Sequence, residues 1–139
     1  MSSCELCVSV AGGSDLLHAT EKWRVVLVDD ANYPGFCRVI WNAHVKEMSD
    51  LSESERNEMM AVVWIVEQTI RDVMAPHKIN LASLGNVVPH LHWHIIPRYQ
   101  DDAHFPNPVW AVAKPILPDV SVRMALLPSL REELLKRLK

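Results

Sequence analysis

The sequence predicts an α+β fold, an antiparallel sheet of about five strands with one long helix on one face and a short C-terminal helix. Three observations lead there. Compact β-branched and aromatic runs occur at strand length, one long stretch carries apolar residues at helical spacing, and no regular strand–helix alternation suggests a parallel sheet. The 139 residues fit a single domain spanning 1–139, and a hydrophobic content of 49% is enough to bury a core.

The elements follow in chain order. Trp23 to Val28 (WRVVLV) reads as a strand, and Asp29 to Gly35, ending in Tyr-Pro-Gly, as a turn-rich loop. Phe36 to Trp41 is the next strand. Ser52 to Ala75 is the clearest helix, because Ser52 and Glu55 have the spacing of a capping box. Met59, Val62, Val63, Val66, Ile70, Val73 and Met74 then form one apolar stripe, and Pro76 marks the stop. Two short strands are expected at Ile79 to Leu84 and His90 to Ile96. A Pro-rich loop surrounds Phe105 to Trp110, and a charged helix runs from Pro128 to Lys139.

Composition narrows the function. No apolar run reaches the length of a membrane-spanning helix, about 18 residues. The start, MSSCE, lacks the basic and apolar regions of a secretory leader, so a cytoplasmic protein is expected. A net charge of −3 argues against a dedicated nucleic-acid binder, yet leaves room for a small phosphorylated ligand. Cys4, Cys7 and Cys37 do not make a disulfide framework in such a chain.

The informative stretch is Gly85 to Arg98, GNVVPHLHWHIIPR. On a strand bracketed by Pro89 and Pro97, His90, His92 and His94 point to one face, and Leu91, Trp93 and Ile95 to the other. The apolar set packs under the long helix and the imidazoles line the open side. Packing alone offers no cheap reason for three histidines in a row. One metal ion is a poor fit for all three. His90 and His94 would lie about 13 Å apart on an extended strand, whereas zinc holds each nitrogen at about 2.0–2.1 Å. A row of donors suits a phosphate chain better.

The run HLHWHII at His90 to Ile96 resembles the signature of the histidine-triad family, His-φ-His-φ-His-φ-φ with φ apolar. The following Pro97-Arg98 is similar to the branch of fragile-histidine-triad and bacterial diadenosine polyphosphate hydrolases. Val26 to Asp29, Tyr33 to Gly35, Arg38 to His44 and Asn80 to Asn86 fall where that family has corresponding elements, so the likeness runs from about Arg24 to Arg98. It implies a nucleotide hydrolase or transferase cleaving a phosphoanhydride or phosphoramidate bond at the α-phosphate, with dinucleoside polyphosphates favoured as substrates.

Residue by residue, the resemblance implies that His92 is the nucleophile and forms a nucleotidyl-histidine that water then resolves. His90 and His94 contact phosphate or leaving-group oxygens, with His94 the better candidate for protonating the leaving group. Asn80 and Asn86 donate to phosphate oxygens, and Asp29, in exchange with Asp30, accepts from the ribose hydroxyls. Phe36 stands where many members have a histidine after the Pro-Gly turn. The resemblance also implies a homodimer joined sheet edge to sheet edge.

Some relatives hold a structural zinc with an N-terminal C-x-x-C, and the matching residues here are Cys4, Cys7, His44 and His90. If zinc binds, His90 is a ligand and its contact with phosphate shrinks. Two ordinary thiols on a loose terminus are the alternative. No organic cofactor is called for, and whether Mg²⁺ accompanies the polyphosphate stays open. His18 reads as a surface strand residue, His77 as a helix-terminal one, His104 as a lone loop residue of the kind that more often has no role than approaches a ligand, Cys37 as core and Trp110 as a subunit contact. Two rival functions remain: a nucleotide-binding regulator without turnover, and a metal-dependent hydrolase using the triad as ligands.

Overall fold

The computed structural model describes residues 4–8 and 14–139. The strands are β1 (Asp15–Ala19), β2 (Trp23–Leu27), β3 (Cys37–Trp41), β4 (Lys78–Ala82) and β5 (His92–Arg98). Four α-helices accompany them: α1 (Glu5–Val8), α2 (Glu53–Met74), α3 (Ser121–Ala125) and α4 (Leu127–Arg137). The strands form one sheet in the order β1-β2-β3-β5-β4, and every neighbouring pair is antiparallel. This is the α+β architecture expected from the sequence. No described helix is long and apolar enough to cross a membrane.

Helix α2 begins where its capping box predicts. The Ser52 side chain accepts from the Glu55 N–H at 3.3 Å, and Glu55 accepts from the Ser52 N–H at 3.0 Å. It ends at Ala75, which takes the left-handed conformation with φ 48°, and Pro76 prevents continuation. The apolar stripe packs on one face of the sheet. Met59, Val63, Val66 and Ile70 are fully buried against Val25, Val39, Cys37 and Ile95, with Leu130 and Leu134 of α4 completing the layer. Each such aliphatic side chain contributes roughly 1.5–3 kcal/mol by leaving water. Burial also pushes the Cys37 thiol up to about 12, consistent with its core placement.

The Tyr-Pro-Gly turn between β2 and β3 requires its glycine. Gly35 has φ +94°, and a Cβ there would stand 3.2 Å from Met74 Cε at the end of α2.

Strand ends differ from expectation by one or two residues: β4 runs Lys78–Ala82 rather than Ile79–Leu84, and β5 departs at both ends. β5 begins at His92 rather than His90. Leu91 already exchanges backbone hydrogen bonds with Val45 and Trp41, in the segment where the chain leaves β3. β5 also runs through Pro97, which is tolerated because the β3 ladder stops at Ile95 and leaves only β4 alongside. By alternation, the sheet face away from α2 presents Val26, Arg38, Ile40, His92, His94 and Ile96. Part of it is covered by α1, through Leu6 on Val26 and Ile40, and part by the segment after β5.

Candidate active site

His92 and His94 lie side by side on this second face, with ring centroids 4.8 Å apart. In the β3–β5 register His92 faces Ile40 and His94 faces Arg38. The loop after β5 brings Trp110 edge-on to His94 at 5.1 Å, and Phe36 packs against the same ring at 5.7 Å. Between α1, the loop before β5 and these rings opens a cleft of about 530 Å³, lined among others by Glu5, Arg38, Asn86, His92, His94 and Trp110. Trp110, read as a subunit contact, is thus a wall of the cleft.

Backbone bonding sets the protonation of the central ring. His92 Nδ1 lies 2.5 Å from the His90 carbonyl oxygen. A carbonyl only accepts, so Nδ1 carries the proton and Nε2 holds the lone pair. Burial lowers the proton affinity of His92 most; the bond to the His90 carbonyl opposes this, and the charges of Arg38 and His90 add to the lowering. His94 is pushed down to about 3 by burial, then by His92 and Arg38, and its buried Nδ1 has no hydrogen-bond partner among the described residues. Both rings are therefore neutral at ordinary pH. The site holds a neutral, oriented imidazole of the kind an in-line nucleophile requires.

His90 is fully buried and turned elsewhere. Its Nε2 donates to the Trp41 carbonyl at 2.5 Å, which leaves Nδ1 as an acceptor. That Nδ1 lies 3.4 Å from Cys4 Sγ, 3.5 Å from Cys7 Sγ and 3.2 Å from His44 Nδ1, while Cys7 Sγ and His44 Nδ1 are 3.2 Å apart. All four donor atoms lie within 4.8 Å of one another. A tetrahedral zinc with ordinary bond lengths separates its nitrogen and sulfur ligands by about 3.3–3.8 Å, so these residues fit a metal. Strand alternation predicts a row of three rings. The row contains His92 and His94, and His90 belongs to the second cluster.

Asn80 sits on β4 opposite Ile96, its Oδ1 accepts from Arg98 Nη1 at 2.7 Å, and it is not among the residues that line the cleft. Asn86 is exposed at the cleft. Asp29 is exposed, and Asp30 accepts from the Asn32 N–H at 2.9 Å within the turn.

Arg98 itself is anchored by Asp102, which the sequence reading missed. Asp102 accepts from Arg98 Nε at 2.8 Å and Nη2 at 3.0 Å, from the Tyr33 hydroxyl at 3.1 Å, and from three backbone amides. The Arg-x-x-x-Asp spacing was the available signal. His104 is drawn into the same network, 2.6 Å from the Tyr33 hydroxyl. His18 lies on β1 beside Trp23, and His77 is exposed against Phe105.

The HIT domain family model matches residues 13–101. A crystal structure of a histidine triad protein from Bradyrhizobium japonicum superposes with a TM-score of 0.74 at 30% identity, covering 88% of this chain and 91% of that one. A histidine triad protein from Marinobacter aquaeolei VT8 gives 0.70 at 28% identity, with 88% and 91% covered. A zinc-bound histidine triad family protein from Mycobacterium smegmatis shares the fold at 20% identity, with a TM-score of 0.66 and coverage of 96% and 94%. Among curated relatives, the AP-4-A phosphorylase of Mycobacterium tuberculosis is 33% identical over 78 residues, 52% of this chain and 40% of the relative. The asymmetrical bis(5'-nucleosyl)-tetraphosphatase of Schizosaccharomyces pombe is 35% identical over 74 residues, 50% and 41% respectively. The matches therefore span less than half the length of these curated relatives.

Proposed function

The chain belongs to the HIT domain family, and from that premise we propose that it is a nucleotide hydrolase or transferase, acting at the α-phosphate of dinucleoside polyphosphates through a nucleotidyl-histidine on His92. The observation that carries this reading is the bond from His92 Nδ1 to the His90 carbonyl, which leaves a neutral Nε2 at the cleft. Two curated relatives named for diadenosine or dinucleoside tetraphosphates support the substrate class.

In the proposed reaction His92 Nε2 attacks the α-phosphorus in line. A nitrogen–phosphorus bond forms as the bond to the leaving oxygen breaks, and the imidazolium is stabilised by the His90 carbonyl. A bound polyphosphate brings negative charge beside His94 and raises its proton affinity, so that His94 hydrogen-bonds the leaving oxygen. Asn86 donates to non-bridging oxygens, and Asp29 accepts from the ribose. Water then displaces the imidazole and releases the mononucleotide. Cys4, Cys7, His44 and His90 would hold a zinc, which supplies a cross-link between the N-terminal segment and the sheet. His90 thereby serves as a ligand and, through its carbonyl, as the acceptor for His92 Nδ1, rather than as a phosphate contact. The proposal takes 1–139 as one domain, working as a cytoplasmic homodimer.

Incubation with diadenosine tetraphosphate and chromatography of the products tests the reading. Wild type should release adenosine mono- and triphosphate, and His92→Ala should release neither. Equal turnover by both proteins would overturn it.

A further inference from the structure

The open face of the sheet carries one charged side chain that its surroundings do not explain. β3 reads Cys-Arg-Val-Ile-Trp, with Cys37, Val39 and Trp41 in the core, so Arg38 stands on the other face among Ile40, His92 and His94. Its guanidinium lines the cleft and is partly buried. Its Nε is cut off from solvent with no hydrogen-bond partner among the described residues. No carboxylate lies within ion-pair distance of it among the described residues, and its neighbour is the Phe36 ring, 5.7 Å from the guanidinium carbon.

The other two arginines on this face are tied down. Arg98 is bound to Asp102, Asn80 and the Asn107 carbonyl, and Arg24 to Asn42 and the Leu6 carbonyl. A guanidinium stays charged at every physiological pH, carries five donors and is costly to bury without an anion. The acids with the strongest pull on Arg38 are Glu5 and Asp30, and both act from beyond ion-pair distance. The missing counter-charge has one natural source, which is whatever occupies the cleft.

We propose that Arg38 is the anion-binding residue of the cleft, donating to phosphate oxygens of the ligand held beside His92 and His94. The inference rests on the reading of this cleft as a nucleotide site and adds to it a charge requirement. Affinity is set by the phosphates, and a nucleoside without phosphate gains nothing from Arg38. Charge-assisted hydrogen bonds of this kind are worth about 10- to 100-fold in affinity.

NMR titration of wild type, Arg38→Gln and Arg38→Lys with adenosine, AMP and α,β-methylene-ADP tests this. Arg38→Gln should weaken AMP and the methylene analogue about 10- to 100-fold and leave adenosine within about 2-fold, with Arg38→Lys recovering part of the loss. Equal weakening of all three ligands, or weakening of none, would overturn the proposal while leaving the nucleotide site standing. Failure of wild type to bind any of them would overturn both. Should Arg38→Gln lose its fold by circular dichroism, Arg38→Lys decides alone. Weaker AMP binding with adenosine unchanged supports the assignment, and unchanged AMP binding refutes it.

Discussion

Replacing Asp102 by asparagine keeps the volume of the side chain and removes its charge from a position with 0% exposure. The carboxylate accepts from Arg98 through two nitrogens, from the Tyr33 hydroxyl and from the amides of Tyr99, His104 and Phe105. Asparagine offers one oxygen and turns an N–H₂ towards donors. Arg98, only 2% exposed, is then left as a buried charge without its counter-ion. Breaking a buried pair from one side costs about 3–5 kcal/mol. At roughly 4 °C per kcal/mol for a domain of this size, the thermal midpoint should fall by roughly 10–20 °C. The pH dependence carries a sign. Burial alone would raise the Asp102 pKa, but Arg98 and the backbone amides outweigh it and hold the carboxyl well below the usual carboxylate range. The stabilisation is therefore complete above the unfolded value of about 3.9 and lost as pH falls through and below it. Urea melts from pH 7 to pH 3 should show the gap between wild type and variant narrowing by about 1 kcal/mol. A gap below about 1 kcal/mol at pH 7, or one that does not shrink in acid, would refute the reasoning.

Ser52→Ala removes half of the capping box on α2 and should cost about 1 kcal/mol in urea melts, with turnover per folded molecule unchanged because α2 packs on the face away from the cleft. Zinc content measured on purified protein should be one ion per chain in wild type and far lower in Cys7→Ser, since the donor atoms of Cys4, Cys7, His44 and His90 converge. A wild type purified with zinc in the medium that holds none would contradict the zinc reading.

The long helix was legible because two independent signals agree on it, the capping box at Ser52 and the apolar stripe through Met74. β2, β3 and β5 were legible to within two residues for the same reason, their composition and alternation pointing one way. β1 was not delineated. Its DLLHA run alternates poorly, its ladder is irregular between Leu16 and His18, and three of its five residues are exposed. The short α1 and α3 have too few residues to carry a periodic signal.

In the site, spacing placed His92 and His94 together, because a strand does carry them. The same spacing misdirected His90, which precedes the strand and whose ring is held by the Trp41 carbonyl. That four donors from three distant segments meet around His90 followed from resemblance alone, since spacing holds no record of where the terminus folds back. The Arg98–Asp102 pair was visible as a spacing, but its partners Tyr33 and Asn80 come from elsewhere in the chain.

The central claim is a covalent bond between His92 and the α-phosphorus. Wild type mixed with diadenosine tetraphosphate labelled at the α-phosphates, and quenched within milliseconds, should carry label that survives alkali and is released by acid, as a nitrogen–phosphorus bond is. The label should map to the peptide containing His92 and be absent from His92→Ala. Turnover by wild type without such label at any quench time, together with retained turnover by His92→Ala, would contradict the account.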